Sequence, residues 1–326
     1  MGLHSILINE FGRLRSGWRL VLYVLAFIAA SFLVATIAGA GYLAARAIYP
    51  SFPHPHYFAD LIFRFSTLCA ALIAGYLCVR LFEGLPWRSL GLTRHKGWMR
   101  DLIIGTAIGI VALAFAVGIA TAGGGLRFSF IGNGLLLSAG KSLVASTVLF
   151  LAAALAEEAA FRGYPLQTLT RAHLIVFGVL LTSLPFGFVH LNNPNVVPGV
   201  TFANTALAGV WLAAAYLKTR SLWFPWGVHF GWNWALDWFF GLPVSGARIS
   251  SQSLLLSTDI GPAWLTGGRY GIEGGIACTI ALIACTLFIW RTGLVSATPE
   301  LKKLTSDENP ATPQPVVSVL PSNNRA

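Results

Sequence analysis

Charged residues are scarce in this sequence. Only 10% of its 326 residues are Asp, Glu, Lys or Arg, whereas a soluble globular domain usually carries about a quarter. A chain with so few charges has too little polar surface to cover a water-facing globule. The composition therefore excludes an ordinary soluble domain and predicts that lipid is the main solvent of this protein.

Cysteines and acidic residues are also few. The four cysteines lie inside apolar stretches without CxxC spacing, which is typical of small, reduced, buried residues. With 12 acidic and 22 basic residues, the formal net charge is +10. Because the basic residues stand mostly in short segments between apolar runs, this excess is typical of membrane topology determinants. We therefore expect membrane lipids, and not nucleic acid, as partners.

Long apolar runs make up most of the chain. A helix needs about 20 apolar residues to cross a bilayer, and the runs here suffice for about eight crossings. The predicted fold class is all-α, a polytopic helical membrane bundle in one domain. The predicted spans lie near residues 20–43, 60–82, 101–122, 141–161, 174–190, 197–217, 224–241 and 271–291.

The positions of Lys and Arg predict how the bundle sits in the membrane. Sixteen of the 22 basic residues fall on one side if the N-terminus is inside, which predicts an N-in, C-in protein with an even number of spans. If the chain is bacterial, we expect an integral, multi-pass protein of the inner or plasma membrane. The six basic residues on the other side are Arg46, Arg64, Arg127, Lys141, Arg248 and Arg269.

Three segments follow from this topology. Residues 1–18 are predicted to be a cytoplasmic N-terminal segment, and residues 19–295 the transmembrane helical domain. The composition changes near residue 296, where prolines are mixed with Ser, Thr, Asn and charges. This composition predicts that residues 296–326 form a disordered polar tail.

Two adjacent carboxylates, Glu157 and Glu158, close the apolar run of the fourth span. On a helix they point about 100° apart, so they cannot share one role. Glu158 and Arg162 stand at i, i+4 with the acid first, which favours an ion pair. Glu157 then faces elsewhere, and an unpaired carboxylate in an apolar site suits a general base. The alternative is that both acids mark the end of a span at the interface.

Two later motifs carry histidines. His190 ends the fifth apolar run, four residues after Phe186, and alone it suits an interfacial or capping position. His229 and Asn233 stand at i, i+4, so they share one helix face, and both can donate hydrogen bonds. Nearby tryptophans favour an aromatic belt at the membrane surface, which does not explain a His and an Asn on one face. These tryptophans are Trp223, Trp226, Trp232, Trp234 and Trp238.

Taken in order, the three motifs resemble those of the CPBP family of intramembrane proteases. That family includes the type II CaaX prenyl protease and the bacteriocin-processing (Abi) type, and its pattern is EExxxR, then FxxxH, then HxxxN. Residues 85–92 are also similar to the approach to the family's core, so the resemblance covers about residues 85–240, the predicted protease core. The matching residues are Glu157, Glu158, Arg162, Phe186, His190, His229 and Asn233.

The resemblance implies an endopeptidase that hydrolyses a peptide bond inside the membrane. Its substrate would be a membrane-associated, lipidated or leader peptide. Glu157 would activate a water molecule, and His190 would hold that water or bind a metal. His229 and Asn233 would stabilise the oxyanion, a role for donors preset in a dry site. The supporting residues would be Glu158, Arg162 and Phe186.

The sequence leaves the need for a metal open. Glu157, His190 and His229 could ligate zinc, and the family has long been labelled metalloprotease, yet the chain has no HExxH motif. A glutamate mechanism without metal fits the residues equally well. We favour it slightly, because Asn is a poor zinc ligand and a natural hydrogen-bond donor.

The predicted topology conflicts with a shared site. His190 ends an outward crossing and His229 begins one, so straight spans would put them on opposite sides of the membrane. A shared site requires a broken or displaced helix lining a water-filled cavity. Residues 192–198, which contain three asparagines and two prolines, could supply that break.

Two other functions are compatible with these residues. In a membrane transporter, Glu157, His190 and His229 would form a proton relay. In a non-catalytic membrane scaffold, the polar residues would serve only to bind partners. A relay needs polar residues across the whole bilayer, and the first three spans offer few.

Overall fold

The apolar runs form helices in the computed structural model, which describes residues 6–49, 55–306 and 308. In this part of the chain, six helices are long and apolar enough to cross a membrane. The prediction of an all-α helical membrane bundle is confirmed, and the chain is an integral membrane protein. The helices are α1 Ser16–Ile48, α2 Pro55–Cys78, α3 Trp98–Ala122, α4 Leu136–Glu158, α5 Tyr164–Arg171, α6 Ile175–Val189, α7 Val200–Thr219, α8 Trp223–Trp234, α9 Ala263–Thr266, α10 Ile276–Arg291 and α11 Pro299–Thr305.

The helices of the last two predicted spans are short. Helix α10 has 16 residues, and α8 has 12 residues that continue into a π-helical turn at Ala235–Phe239. At 1.5 Å per residue, α10 is about 24 Å long, which is less than the roughly 30 Å of a bilayer core. The number of eight crossings and the N-in, C-in orientation therefore stay predictions.

A two-stranded sheet joins the loops at one end of the bundle. Strand β1 (Leu126–Phe130) pairs antiparallel with β2 (Leu255–Asp259), with Leu126 opposite Asp259 and Phe130 opposite Leu255. The sequence analysis did not predict this sheet. The strands have five residues each and lie far apart in the chain, so no local turn signals their pairing.

Helices α3 and α8 approach each other at backbone contact. Both carry glycines four residues apart, as in Gly105 and Gly109 on α3. A Cβ added at Gly109 would lie 2.1 Å from the Val228 carbonyl oxygen, and one at Gly231 would lie 2.2 Å from the Thr106 carbonyl oxygen. Small residues of this kind let membrane helices pack closely. This contact fixes the position of α8, which carries His229 and Asn233.

Buried ion pairs tie the two ends of the chain to the bundle. Glu83 lies 3.0 Å from the Arg19 guanidinium and also binds Arg171 and the Thr168 hydroxyl, and Glu308 binds Arg19 from the other end of the chain. Arg19 and Glu83 are fully buried. Two residues that the sequence analysis counted as topology determinants are therefore also structural partners of buried acids.

The beginning of the predicted disordered tail is ordered. Helix α11 occupies Pro299–Thr305, and the Thr298 hydroxyl caps it by accepting a hydrogen bond from the Leu301 N–H at 3.3 Å. Proline suits the first turn of a helix, and the buried Leu301 anchors it. The structure corrects the prediction of disorder for these residues, while residues 307 and 309–326 lie outside the described part.

The glycine contact between α3 and α8 can be tested by adding one methyl group. Gly109→Ala should lower stability by about 1–3 kcal/mol, because the new Cβ would overlap the Val228 carbonyl. Gly118→Ala, on the same helix, is the matched control, since nothing lies within 4 Å of its Cβ position. Thermal unfolding in detergent measures both variants. A Gly109→Ala variant as stable as Gly118→Ala would contradict the packing.

Candidate active site

The residues of the three motifs meet around one cavity of about 760 Å³. Its lining includes Glu157 from α4, Phe186 from α6, His190 just beyond α6, and His229 and Asn233 from α8. All four residues predicted to be catalytic therefore share one space, although they lie on three different helical segments. The geometry around each side chain shows what this arrangement can do.

Glu157 presents its two carboxylate oxygens to different neighbours. Arg64, which lies on α2, donates a hydrogen bond from its guanidinium to Oε1 at 2.8 Å. Oε2 faces two imidazoles and lies 4.0 Å from His190 Nε2 and 3.8 Å from His229 Nε2. The expectation that Glu157 is unpaired is therefore wrong, because Arg64 approaches from a helix that the motifs do not include.

Glu158 is fully buried inside the protein. Arg162 Nη1 donates to Glu158 Oε1 at 3.0 Å, which confirms the predicted i, i+4 pair, and both side chains are 0% exposed. The same Oε1 lies 2.9 Å from His229 Nδ1. Arg162 also donates to the Gly209 carbonyl on α7 at 3.2 Å. Glu158 thus holds the His229 ring while Arg162 holds Glu158.

A widened helical turn follows the two glutamates. Helix α4 passes into a π-helical turn at Ala159–Gly163 before α5 begins. Pro165, in the first turn of α5, has no N–H, so it cannot donate the α-helical hydrogen bond to the Phe161 carbonyl. Such π-turns are frequent at functional sites. Here the turn lies directly after Glu158 and contains Arg162.

The His190 ring is fixed by the last turn of α6. Its Nδ1 lies 2.6 Å from the Phe186 carbonyl oxygen, and its ring centroid lies 4.7 Å from the Phe186 ring. The Phe186 ring also meets a cation, since Arg162 Cζ lies 4.5 Å from the ring centroid. Phe186 therefore contacts both Arg162 of the buried ion pair and the cavity histidine.

The conflict in the predicted topology disappears in the structure. Helix α6 ends at Val189, and residues 190–199 form a 3-10 turn and irregular backbone before α7 begins at Val200. His229 is the seventh residue of α8, which places it about 9 Å along the helix rather than at its start. One histidine therefore stands at a helix end and the other within a helix, and both reach the same Glu157 oxygen.

The tryptophans of α8 and of the π-helical turn after it make contacts within the bundle, and the aromatic belt that the sequence favoured stays a prediction. Three of them donate their indole N–H groups to α4 inside the bundle, so they join the two helices that carry the glutamates and His229. Buried indole groups commonly find such acceptors. The bonds run from Trp226 to the Leu151 carbonyl at 2.9 Å, from Trp234 to the Thr147 hydroxyl at 3.0 Å, and from Trp238 to the Ala139 carbonyl at 2.9 Å.

Three further charged residues line the cavity, Asp60, Arg64 and Glu273, and none of them was given a role in the site from the sequence. Arg64 was counted only as a topology residue, although a lone arginine within the span predicted at 60–82 is itself a functional signal. Glu273 lies within the span predicted near residues 271–291. Its Oε1 accepts a hydrogen bond from Trp232 Nε1 at 3.0 Å, and its Oε2 accepts one from the Ser245 N–H at 2.6 Å. Glu273 therefore ties α8 to the loops above the cavity.

The predicted zinc ligands do not fit a zinc site in this arrangement. In the described part of the chain, no group of three or more His, Cys, Asp or Glu residues is placed to hold a metal ion. The ligands of tetrahedral zinc at about 2.0–2.1 Å lie roughly 3.3–3.5 Å from one another. Glu157 Oε2 lies farther than that from His190 and His229, at 4.0 and 3.8 Å. Its Oε1 is bound to Arg64.

Comparison with known proteins gives one match. The family model of the type II CAAX prenyl endopeptidase Rce1-like proteins matches residues 139–235. This segment contains all of the motif residues from Glu157 to Asn233, and the match confirms the resemblance recognised from them. It supports an intramembrane endopeptidase of the CAAX type in general. No curated protein and no solved structure matches the chain.

The two glutamates should differ sharply when their charge is removed. Glu158→Gln leaves the fully buried Arg162 without its anion, so we expect a loss of about 3–5 kcal/mol in the free energy of unfolding. Glu157→Gln is the matched neighbour. Its side chain is 17% exposed and its partner Arg64 is 35% exposed, so the loss should be below about 1 kcal/mol. Denaturant titration in detergent measures both, and equal losses would contradict the division of roles.

Proposed function

We propose that this chain, whose core matches the Rce1-like family, hydrolyses a peptide bond of a membrane-associated, lipidated substrate with water activated by Glu157. The observation that carries the proposal is the position of Glu157 Oε2, which faces two imidazole nitrogens inside the cavity at 4.0 and 3.8 Å. A carboxylate and two histidines at these distances can surround one water molecule and one reacting carbonyl.

His190 and Glu157 are suited to hold the attacking water. The Phe186 carbonyl can only accept a hydrogen bond, so the facing Nδ1 of His190 carries the proton and Nε2 is free to accept. The 4.0 Å between His190 Nε2 and Glu157 Oε2 is too long for a direct hydrogen bond but suits one bridging water. That water would donate one proton to each group and attack the peptide carbonyl carbon.

His229 and Asn233 are suited to stabilise the oxyanion that this attack creates. They stand one turn apart on α8, and both line the cavity. In the proposed step both ring nitrogens of His229 donate, Nδ1 to Glu158 and Nε2 towards the oxyanion in the cavity. The Asn233 amide supplies a second donor. Preset donors in a site without bulk water stabilise an oxyanion strongly.

The proposed reaction needs no reactant other than the peptide and the water. Glu157 takes a proton from the water as the carbon–oxygen bond forms, and gives it to the amide nitrogen as the carbon–nitrogen bond breaks. The second proton of the water stays on the new carboxyl group and then passes to the released amine, so that the products are a carboxylate and an ammonium group. Because the zinc geometry does not fit, no step of the proposed mechanism uses a metal.

The cavity lining supports a lipidated substrate. Phe32 of α1 and Phe63 of α2 line the cavity and are 78% and 59% exposed on the outer surface of the bundle. The cavity therefore reaches the surface that lipid covers in a membrane. An apolar chain such as a prenyl group could enter from the bilayer without crossing water, while the attached peptide reaches Glu157. A prenylated C-terminal peptide is therefore the substrate that we propose.

Replacement of Glu157 tests the proposed base. Glu157→Gln keeps the shape of the side chain and removes its basic group, so turnover should fall by at least about 10²–10⁴-fold. The assay is cleavage of a farnesylated peptide by the protein reconstituted in lipid vesicles, followed by mass spectrometry. The unfolding measurement described above shows that the variant is folded. Normal turnover by this variant would exclude the mechanism.

Chelation tests the absence of a metal from the mechanism. Protein dialysed against a strong chelator and then freed of it should cleave the same farnesylated peptide at the full rate, because Glu157, His190, His229 and Asn233 suffice. Metal analysis of the dialysed sample is the control. Lost activity that returns with added zinc would show instead that the ligands rearrange around a metal.

A further inference from the structure

Arg64 is the part of the cavity that no motif explains. It lies on α2, outside the matched segment at residues 139–235. Its guanidinium donates to Glu157 Oε1 at 2.8 Å, on the side of the carboxylate away from the two histidines. The proposed hydrolysis uses Oε2 and gives Arg64 no step.

Arg64 is the only Lys or Arg among the described residues that line the cavity. Two further carboxylates, Asp60 and Glu273, also line it, and Glu273 is held by Trp232 and Ser245. A negatively charged group that enters this largely apolar space therefore meets one guanidinium. Because an unpaired anion is costly in such surroundings, Arg64 is the place where it would bind.

The ion pair between Arg64 and Glu157 is built differently from its neighbour. The Arg162–Glu158 pair is 0% exposed, and its guanidinium also binds the Gly209 carbonyl. Arg64 is 35% exposed, and its hydrogen bond to Glu157 uses one of its nitrogens. A guanidinium offers five N–H donors in a planar fork that matches a carboxylate. Arg64 can therefore turn to a second anion, whereas Arg162 cannot.

We infer that Arg64 binds the free C-terminal carboxylate of the substrate peptide and so selects substrates that are cut near their C-terminus. The inference rests on the proposed peptidase function and deepens it. When the peptide enters, Arg64 leaves Glu157 Oε1 for the peptide carboxylate. Glu157 then loses its counter-charge as the water and the peptide carbonyl arrive at Oε2. Recognition of the substrate thereby frees the base.

The position of Arg64 limits where the cut can fall. Its guanidinium touches the carboxylate that activates the water, and an extended peptide advances only about 3.3–3.6 Å per residue. A C-terminal carboxylate bound by Arg64 therefore lies within a few residues of the cleaved bond. Internal segments of a protein chain carry no such carboxylate, so the site discriminates against them.

The inference can be tested with two farnesylated peptides that differ only at the C-terminus, one a free carboxylate and the other a carboxamide. For the wild-type protein in vesicles, kcat/KM should be about tenfold to hundredfold higher for the carboxylate peptide, as a charge-assisted hydrogen bond provides. In Arg64→Gln, this ratio should fall to near one, and Arg64→Lys should keep part of it. The ratio does not depend on the fraction of folded protein.

Arg46→Gln is the matched control, since Arg46 is exposed in the last turn of α1 and does not line the cavity. It should keep the wild-type ratio. A wild-type ratio near one would overturn the inference. An unchanged ratio in Arg64→Gln, with the rates for both peptides lowered alike, would also overturn it, because that result would show that Arg64 only positions Glu157.

Binding of the same two peptides, measured without turnover, separates this inference from the proposed function. If neither peptide is cleaved, the peptidase proposal fails. The inference about Arg64 is still decided, because tighter wild-type binding of the carboxylate peptide that is lost in Arg64→Gln supports it. Equal dissociation constants for the two peptides contradict it.

Discussion

The buried charge of Glu158 is the constraint on which the rest of the site depends. A carboxylate fully removed from solvent costs several kcal/mol unless it is paired and hydrogen-bonded. Oε1 of Glu158 contacts both Arg162 and His229, and Arg162 reaches on to the Gly209 carbonyl. Helices α4, α7 and α8 therefore cannot separate without exposing a charge to an apolar surrounding. This need for neutralisation holds the cavity side chains in place, and the glycine and tryptophan contacts of α8 reinforce it.

Glu157 and Glu158 are neighbours in one turn of helix but lie in opposite environments. The residues point about 100° apart, so Glu158 faces the bundle and Glu157 faces the cavity. His229 lies between them, with Nδ1 at 2.9 Å from Glu158 and Nε2 at 3.8 Å from Glu157. Because a carboxylate holds its Nδ1, the ring cannot turn away from the cavity. Glu158 therefore orients the imidazole that lies beside Glu157, the proposed base.

Local patterns in the sequence predicted the parts of the site that depend on helix periodicity. The apolar runs predicted the helices, and the i, i+4 spacing predicted the pair of Glu158 with Arg162, which the structure confirms. Contacts between distant segments carried no such signal. Neither the approach of Arg64 to Glu157 nor the bonds from the α8 tryptophans to α4 has a fixed spacing in the chain. The convergence of the motifs was predicted only through the family resemblance.

The Glu157 carboxylate also needs a counter-charge inside the cavity, and Arg64 supplies it. Glu157, the proposed base, needs this counter-charge when no substrate is present, since an isolated carboxylate within the membrane is costly. A counter-charge bound as tightly as Arg162 would keep the base neutralised during the reaction. Arg64 is partly exposed, 35% against 0% for Arg162, so its pairing with Glu157 can be exchanged. The site therefore combines a permanent ion pair that maintains its shape with an exchangeable one at the reacting carboxylate, and only the second can respond to what enters the cavity.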